Sequence, residues 1–374
     1  MQSFSSPVST SEAASVEQKT DQVMDAAETF VLEQAVSSRQ RELFAVALDG
    51  LRKKIQVQPR QESETPFLFI HLPLRVFAAL RGEDTRAIPL AVATTLMYLG
   101  MDILDDLADG DLPEIWSAYR PEEINLIAVT LLTALPMRIF VSLDAPPTVR
   151  LQIIGLMADA GLLMSAGQQG DLAMAGRDDM TSAEVIAAVQ GKSGGEFALF
   201  AALAALMAGV SPAQVARLTE LGRAIGTAAQ LFSDWCELFP SIHSRDLASG
   251  TRTLPIVMQL ERLRGTERQA FVKMLEEARC GQEAQNAVRK QLEAAGIAFQ
   301  SAFAVEAHSQ RARRLFREAE LQSPSADGLE FLLRQFSLFD ALAISVRSPD
   351  ATRDAPNISS TDRPSGGAVT ALPV

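Results

Sequence analysis

The stretch Leu99–Asp111, "LGMDILDDLADGD", sets five carboxylates, Asp102, Asp105, Asp106, Asp109 and Asp111, into an otherwise apolar run. Wound as a helix at about 100° per residue, Asp102, Asp105, Asp106 and Asp109 gather within roughly one quadrant, while Met101, Ile103, Leu104 and Leu107 lie elsewhere. Like charges at this spacing repel. Burying them unpaired is strongly unfavourable, so something positive must compensate. The rib is either a solvated acidic helix end or a site for a hard cation, and several oxygen ligands open to water and phosphate suit Mg²⁺.

The surrounding chain supports a helical setting. Its 374 residues are 47% hydrophobic, with two Trp and two Tyr. Period-two β-branched runs are scarce, so the fold class reads as all-α, a large bundle of long helices. Net charge is −12, from 46 acids against 34 bases. No long Lys/Arg block is present, which argues against a nucleic-acid partner and against adsorption to anionic lipid. Cys236 and Cys280 have no ligand spacing; free thiols suit the cytoplasm. The first residues, "MQSFSSPVSTSEAASVEQ", have neither the basic nor the apolar region of a secretory signal. Two apolar stretches, 124–141 and 194–210, are marginal for a bilayer and are interrupted by Pro136, Arg138 and Glu196. They read as buried core helices, so the chain is expected not to span a membrane.

The organisation expected is a polar, disordered segment over residues 1–20, one helical domain over 21–347, and a Pro/Gly/Ser-rich disordered tail over 348–374. Residues 21–55 read as one amphipathic outer helix. Helices at 66–80 and 84–108 are separated by Arg81-Gly82, and another covers about 122–142. A long helix follows Pro146-Pro147. Thr181 and Glu184 have capping-box spacing at the head of a helix running through Lys192 to Gly209. Ser211-Pro212 opens the next as cap and first residue.

That last helix carries a second acidic patch. Gln230, Asp234 and Glu237 stand at i, i+4 and i+7 and share one face. Two helices with inward carboxylates could hold Mg²⁺ ions between them, with a diphosphate as the third party. A diphosphate also wants fixed cations. Lys192, in the apolar "GKSGGEF", is one candidate, with surface snorkelling as its ordinary use. Arg252, beside the break "ASGTRTLP", is another, with solvation as the alternative.

In this order the patches resemble the trans-polyprenyl diphosphate synthase family. Its first aspartate-rich motif is similar to Asp105-Asp106-Leu107-Ala108-Asp109, its GQxxDL stretch to Gly167-Gln168 through Asp171-Leu172, and its Lys-Thr site to Lys192-Ser193. Its second aspartate-rich motif aligns with Gln230, Ser233, Asp234 and Glu237, and its DLxxGKxTLP stretch with Asp246-Leu247 through Pro255. The resemblance covers about residues 65–265. Departures stand beside the matches. The basic residues that precede Pro73 in the family are replaced by "LFIH". The Arg-Arg pair after the first motif is replaced by "GDLPEIW". Tyr98 stands for a histidine, Ser233 for the second motif's first aspartate, and Thr251 for a lysine. The pattern resembles divergent subgroups, ComQ-like isoprenyl transferases and synthase-like terpene synthases.

The resemblance implies an isoprenoid synthase-type bundle around a central cavity, and ionisation of an allylic prenyl diphosphate. Mg²⁺ would be held by Asp105, Asp109 and Asp234, with Asp106 and Glu237 supporting the metal's waters. Lys192, with Arg252, would bind the diphosphate, while Gln168, Asp171 and Gln230 orient water or the nascent cation. Met101, Phe197, Phe200 and Phe232 are candidate pocket walls, or ordinary core. Gly100 and Met101, a turn before the first motif, would leave room for a long chain. The groups missing are those that hold the second substrate, isopentenyl diphosphate. The acceptor is therefore open: chain elongation, transfer to another molecule, or cyclisation as in a terpene synthase. A silent regulatory subunit is a further reading. A homodimer is implied by the resemblance alone.

Overall fold

The structure is a computed structural model that describes residues 10–57, 67–174, 177–239, 244–319, 321 and 326–338; the side chains of 10–15, 57, 109 and 171–174 also lie outside the description. Among the described residues every regular element is helical. In chain order they are α1 (Thr10–Gln34), α2 (Ser38–Val57), α3 (Leu68–Arg81), α4 (Ile88–Asp109), α5 (Pro121–Val129), α6 (Leu135–Ser142), α7 (Pro147–Met174) and α8 (Ser182–Gly191). They continue with α9 (Ser193–Met207), α10 (Pro212–Leu238), α11 (Arg245–Ser249), α12 (Leu254–Arg262), α13 (Gly265–Ala278), α14 (Gln282–Ala294), α15 (Ile297–Glu318) and α16 (Asp327–Arg334).

At the centre stands α9. Its sequence, "SGGEFALFAALAALM", is apolar on all sides, and a helix of that kind must be covered all round. Helices α3, α7, α8 and α10 supply the cover. The crossing with α10 is especially close because α10 turns glycines toward α9. A Cβ on Gly222 would lie 2.3 Å from the Phe197 carbonyl oxygen, and one on Gly226 would lie 2.4 Å from that of Ser193. The main core is built from α1–α7, α9 and α10, with residues of α15 and α16, and takes in Phe44, Phe77, Phe140 and Phe200. A smaller core, around Phe271, Leu275 and Leu292, joins α11–α14 to the end of α10.

The expected boundaries hold where a cap or a left-handed glycine marks them. Gly82 ends α3 at φ +77°. The Thr181–Glu184 capping box heads α8, and Ser211 caps α10. Elsewhere the structure differs. The stretch expected to be disordered over 1–20 is helical from Thr10. Its polar composition hides a buried spacing, Val16, Thr20, Val23, Ala27 and Val31, which docks α1 on the core. Residues 1–9 and the 348–374 tail lie outside the described residues. The single helix expected over 21–55 breaks at 35–37, where the Ser37 hydroxyl accepts from Gln40 N at 3.1 Å and starts α2.

The helix expected over 122–142 contains a π-turn at Thr130–Ala134. There the Thr130 and Thr133 hydroxyls donate to the carbonyls of Leu126 and Val129 at 2.7 and 2.6 Å. Gly100 of α4 packs on this turn. A Cβ there would meet Ala128 O at 2.7 Å and the Leu132 amide nitrogen at 2.8 Å. Gly100 therefore serves a helix crossing and does not open room for a long chain.

Three helical segments, 85–108, 121–142 and 147–170, are long and apolar enough to cross a membrane by length and composition. The expected burial is met by 194–207, which is core. It is met only partly by 124–141, where Leu126, Val129 and Val141 face outward. Most of α7 is exposed, including Leu151, Leu162 and Leu163. Exposed apolar side chains thus recur along the outer sides of α5–α7.

Candidate active site

The C-terminal turns of α4 and α10 bring the two acid ribs to the same end of α9. Helix α9 begins there because the chain breaks at Lys192, whose φ −79° and ψ −87° separate α8 from α9. The single helix expected through this point is thus two. The break lets Lys192 and Ser193 reach opposite neighbours.

Lys192 Nζ lies 3.0 Å from Asp105 Oδ2, with both side chains half-exposed. Ser193 Oγ donates to Gln230 Oε1 at 3.0 Å, and Gln230 Nε2 donates to Asp234 Oδ1 at 2.7 Å. One polar chain, Asp105–Lys192–Ser193–Gln230–Asp234, therefore joins the first acid rib to the second. Asp234 is buried and Ser233 is exposed, so the loss of an aspartate at 233 does not touch this chain.

A second link runs beside it. Arg245, at the start of α11, pairs with Glu237 at 3.6 Å, and its charge also acts on Asp106. Glu237 Oε1 accepts the Asp246 backbone N–H at 2.9 Å, which ties α10 to α11. Asp106 is pushed up to about 6, first by burial and then by Asp102, with Lys54 opposing. Asp102 itself is held by Lys54 of α2 at 2.7 Å and receives a 3.4 Å contact from the Tyr98 hydroxyl. Neither Lys54 nor Arg245 is marked by a motif; each acts only through the chain's three-dimensional path.

Not every expected residue joins the network. Arg252 does not face a diphosphate. Its guanidinium is buried and clasped by Asp178 at 3.0 Å, Glu276 at 3.3 Å and the Gly250 carbonyl at 2.9 Å. A buried cation needs such a full set of partners, and here it fastens the segment before α8 to α13. Gln168 is half-buried on α7, and no hydrogen bond ties it to the network among the described residues. The side chains of Asp109 and Asp171 lie outside the described residues. Phe200 is core, edge-on to Phe197 at 5.5 Å. Met101 and Phe232 are half-buried, and Phe232 stands edge-on to Phe336 at 6.2 Å. Trp116 and Trp235 pack, the latter donating to Ala298 O at 3.0 Å.

Among the described residues no three carboxylates converge at metal-ligand geometry. The donors nevertheless suit a hard divalent cation in kind. Asp105, Asp106, Asp234 and Glu237 offer only oxygen, and Asp106 is pushed up first by burial and then by Asp102.

The family model for polyprenyl synthetase matches residues 70–294, the segment from α3 to the end of α14. A short chain isoprenyl diphosphate synthase of Methanothermobacter thermautotrophicus is 25% identical over 211 residues, 53% of this chain and 63% of that protein. A (2E,6E)-farnesyl diphosphate synthase of Mycobacterium tuberculosis is 29% identical over 198 residues, 49% of this chain and 54% of that protein. The matched stretches thus span less than two thirds of those relatives' lengths. In fold, a geranylgeranyl pyrophosphate synthetase from Pyrococcus horikoshii superposes with a TM-score of 0.72 at 20% identity, covering 86% of this chain and 97% of that one. A polyprenyl synthetase from Streptomyces coelicolor gives a TM-score of 0.73 at 18% identity, covering 87% and 99%. The bundle is therefore the all-α isoprenoid synthase fold. Because the matching family model takes in more than half of the sequence, including both acid ribs and Lys192, the chain belongs to the polyprenyl synthetase family.

Proposed function

We propose that this chain is a Mg²⁺-dependent prenyl-transfer enzyme that ionises an allylic prenyl diphosphate. The observation that carries the reading is the single polar chain from Asp105 through Lys192, Ser193 and Gln230 to Asp234. It sets a fixed cation between two carboxylate ribs, the setting a departing diphosphate requires. Asp105, Asp106, Asp234 and Glu237 would hold Mg²⁺, which when bound supplies the charge that neutralises the leaving group.

The protein's own groups have distinct tasks. Lys192 offers its ammonium to a diphosphate oxygen in exchange for Asp105. Gln230 fixes the Asp234 carboxylate through its amide, and Ser193 fixes Gln230 in turn. The apolar walls of α4 and α9, with Met101 and Phe197, shield the prenyl cation from water.

Chain elongation is the activity that the relatives' names describe. The basic positions lost before Pro73 favour a second mode, in which the prenyl group passes to another acceptor or closes on itself. His71, the one titratable group left in that stretch, is buried against Thr20 at 3.0 Å and faces no site. The outer face of α5–α7 supports a homodimer in which a second copy covers Leu126, Leu151, Leu162 and Leu163. Free Cys236 and Cys280 suit a cytoplasmic location.

The test is diphosphate release from geranyl, farnesyl and geranylgeranyl diphosphate, with Mg²⁺ or with EDTA, and with or without isopentenyl diphosphate. Mg²⁺-dependent release is expected with at least one substrate. Longer diphosphates among the products mean elongation; hydrocarbons or alcohols mean the second mode. No release from any substrate would overturn the reading in favour of a silent subunit. Light scattering tests the dimer: Leu162→Glu with Leu163→Glu should yield monomers, and an unchanged mass would reject that face.

A further inference from the structure

Two buried polar side chains of α14 grip the chain just beyond the second acid rib. Gln285 and Arg289 are 5% and 6% exposed and stand one turn apart, on the face of α14 that also carries Val288 and Leu292 into the small core. Arg289 Nε donates to the Leu238 carbonyl at 2.6 Å. That carbonyl is the last of α10, where no further turn supplies a donor, and a cation there meets the negative end of the helix dipole. Gln285 holds both backbone groups of Ser244: its Oε1 accepts from Ser244 N and its Nε2 donates to Ser244 O, each at 3.1 Å. Ser244 is itself buried and caps α11, its hydroxyl accepting from Leu247 N at 3.1 Å.

These two anchor points bracket the link between Glu237 and α11. Leu238 directly follows Glu237, and Ser244 directly precedes Arg245. Glu237 faces Arg245 at 3.6 Å and accepts the Asp246 N–H at 2.9 Å. Residues four apart rise about 6 Å along a helix axis. Helix α14 thus works as a ruler that sets the spacing between the end of α10 and the start of α11. Arg289 Nη1 donates to Asn286 Oδ1 at 2.8 Å, so the guanidinium is held by a carbonyl and an amide. Replacing it with an apolar side chain strands no buried carboxylate, and the grip can be removed without creating an unpaired charge.

We propose that Gln285 and Arg289 are positioning residues for the second acid rib. By fixing Leu238 and Ser244 they keep Glu237 in register with Asp246 and Arg245, and so set the rib's affinity for a divalent cation from a helix that touches neither cation nor substrate. The inference rests on the Mg²⁺-dependent reading and adds the groups that aim one of its carboxylates. Without the grip, Glu237 loses its fixed amide partner, and an arriving cation meets a carboxylate that must first be re-aimed. Partners that orient a metal's ligands commonly change metal affinity by about 10–100-fold when removed.

Two measurements on the full chain test it. Mn²⁺ binding is followed by electron paramagnetic resonance with farnesyl thiolodiphosphate present, which binds without ionising. Amide hydrogen exchange of α11 is followed with no metal added. Arg289→Met and Gln285→Met are each expected to weaken Mn²⁺ binding by about tenfold and to speed exchange of the Asp246 amide by about tenfold or more. Arg289→Lys, which keeps a donor and the charge, should bring both readouts back to within about threefold of wild type. Val288→Ala, which thins the same buried face of α14 without touching the grip, should lower the melting temperature and leave both readouts within about threefold. An equal loss of Mn²⁺ affinity in Val288→Ala overturns the proposal, as does an unchanged Mn²⁺ affinity or an unchanged Asp246 exchange in the folded Met variants. If Arg289→Met does not fold, Gln285→Met, with Arg289 left in place, decides. Failure of the wild-type chain to bind Mn²⁺ would overturn the metal-dependent reading and the positioning role with it; Met variants that match a wild type that does bind overturn the positioning role alone.

Discussion

Gly226→Ala should damage the site far more than the fold. The added Cβ would sit 2.4 Å from Ser193 O and 2.7 Å from Phe197 Cδ2. A carbon–oxygen contact relaxes at roughly 3.2 Å or more, so the head of α9 must retreat from α10 by about 0.8 Å. The obstructing atom is backbone, so no rotamer change can relieve it. Two terms oppose each other in stability: alanine gains about 1 kcal/mol of helix propensity over glycine, and overpacking costs about 1–3 kcal/mol. The net loss is about 0–2 kcal/mol, a few degrees in melting temperature for a chain of this size. The same retreat stretches the Ser193–Gln230 bond from 3.0 Å beyond hydrogen-bonding range and carries Lys192 off Asp105. A misplacement near 1 Å can lower a rate by about 100-fold. Diphosphate release and thermal melting, measured on the same preparation, should therefore diverge: release falls about 100-fold while the melting temperature moves little. Gly161→Ala on α7, where an added Cβ meets nothing within 4 Å, is the control. Release within threefold of wild type in Gly226→Ala would refute the claim that this crossing sets the site.

Lys192→Gln should lower diphosphate release by about 100-fold or more, since it removes the fixed charge on the leaving group, with Lys192→Arg recovering part of it; equal rates would remove Lys192 from the mechanism. His71 is pushed down to about 3, chiefly by burial and further by Arg75, so it is neutral in the fold. Its contribution is present above the ordinary histidine value and is lost as pH falls from about 6.5 toward 3, by up to about 1.4 kcal/mol per pH unit. Urea melts of His71→Gln should show a flatter acid limb than wild type. Asp106 has the opposite sign: its raised value means the charged form is disfavoured, and stability falls as pH rises from the ordinary aspartate range through about 6. Without Mg²⁺, Asp106→Asn should melt higher than wild type at pH 7.5, and added Mg²⁺ should stabilise the variant less; the reverse order would discount the crowding.

The acid ribs were legible because their meaning depends only on spacing along one helix: Asp105 with Asp106, and Gln230 with Asp234 and Glu237. The cross-links between them were not. Lys54 and Arg245 look like ordinary surface cations until their helices are placed, and Arg252 looks like a ligand until Asp178 and Glu276 close around it. Gly100, Gly222 and Gly226 have ordinary helical backbones, so only the facing helix reveals why a side chain is excluded. The break at Lys192 did have a local signal, since Gly191, Gly194 and Gly195 flank it and each weakens a helix, but the apolar periodicity on both sides runs across them. Glu196 was visible as an interruption of an apolar run, but its neighbours belong to α4. Exposure of α7 was hidden because an apolar helix reads alike whether its cover comes from its own chain or from another.

The π-turn at 130–134 acts as a phase shifter. Counted from Leu126 at about 100° per residue, Val129 falls near −60° and, in an unbroken α-helix, Val141 near +60°. One extra residue in the wide turn subtracts about 100° and brings Val141 to about −40°, back into line with Leu126 and Val129. The inner set, Ile139 and Phe140, is kept in phase with Ile124 and Leu131 by the same offset. Deleting a single residue there, Thr133 for instance, would let the wide turn close to an ordinary α-turn and leave α6 in phase; closing the turn with all its residues kept would instead rotate every side chain of α6 by more than a quarter turn, trading core for surface.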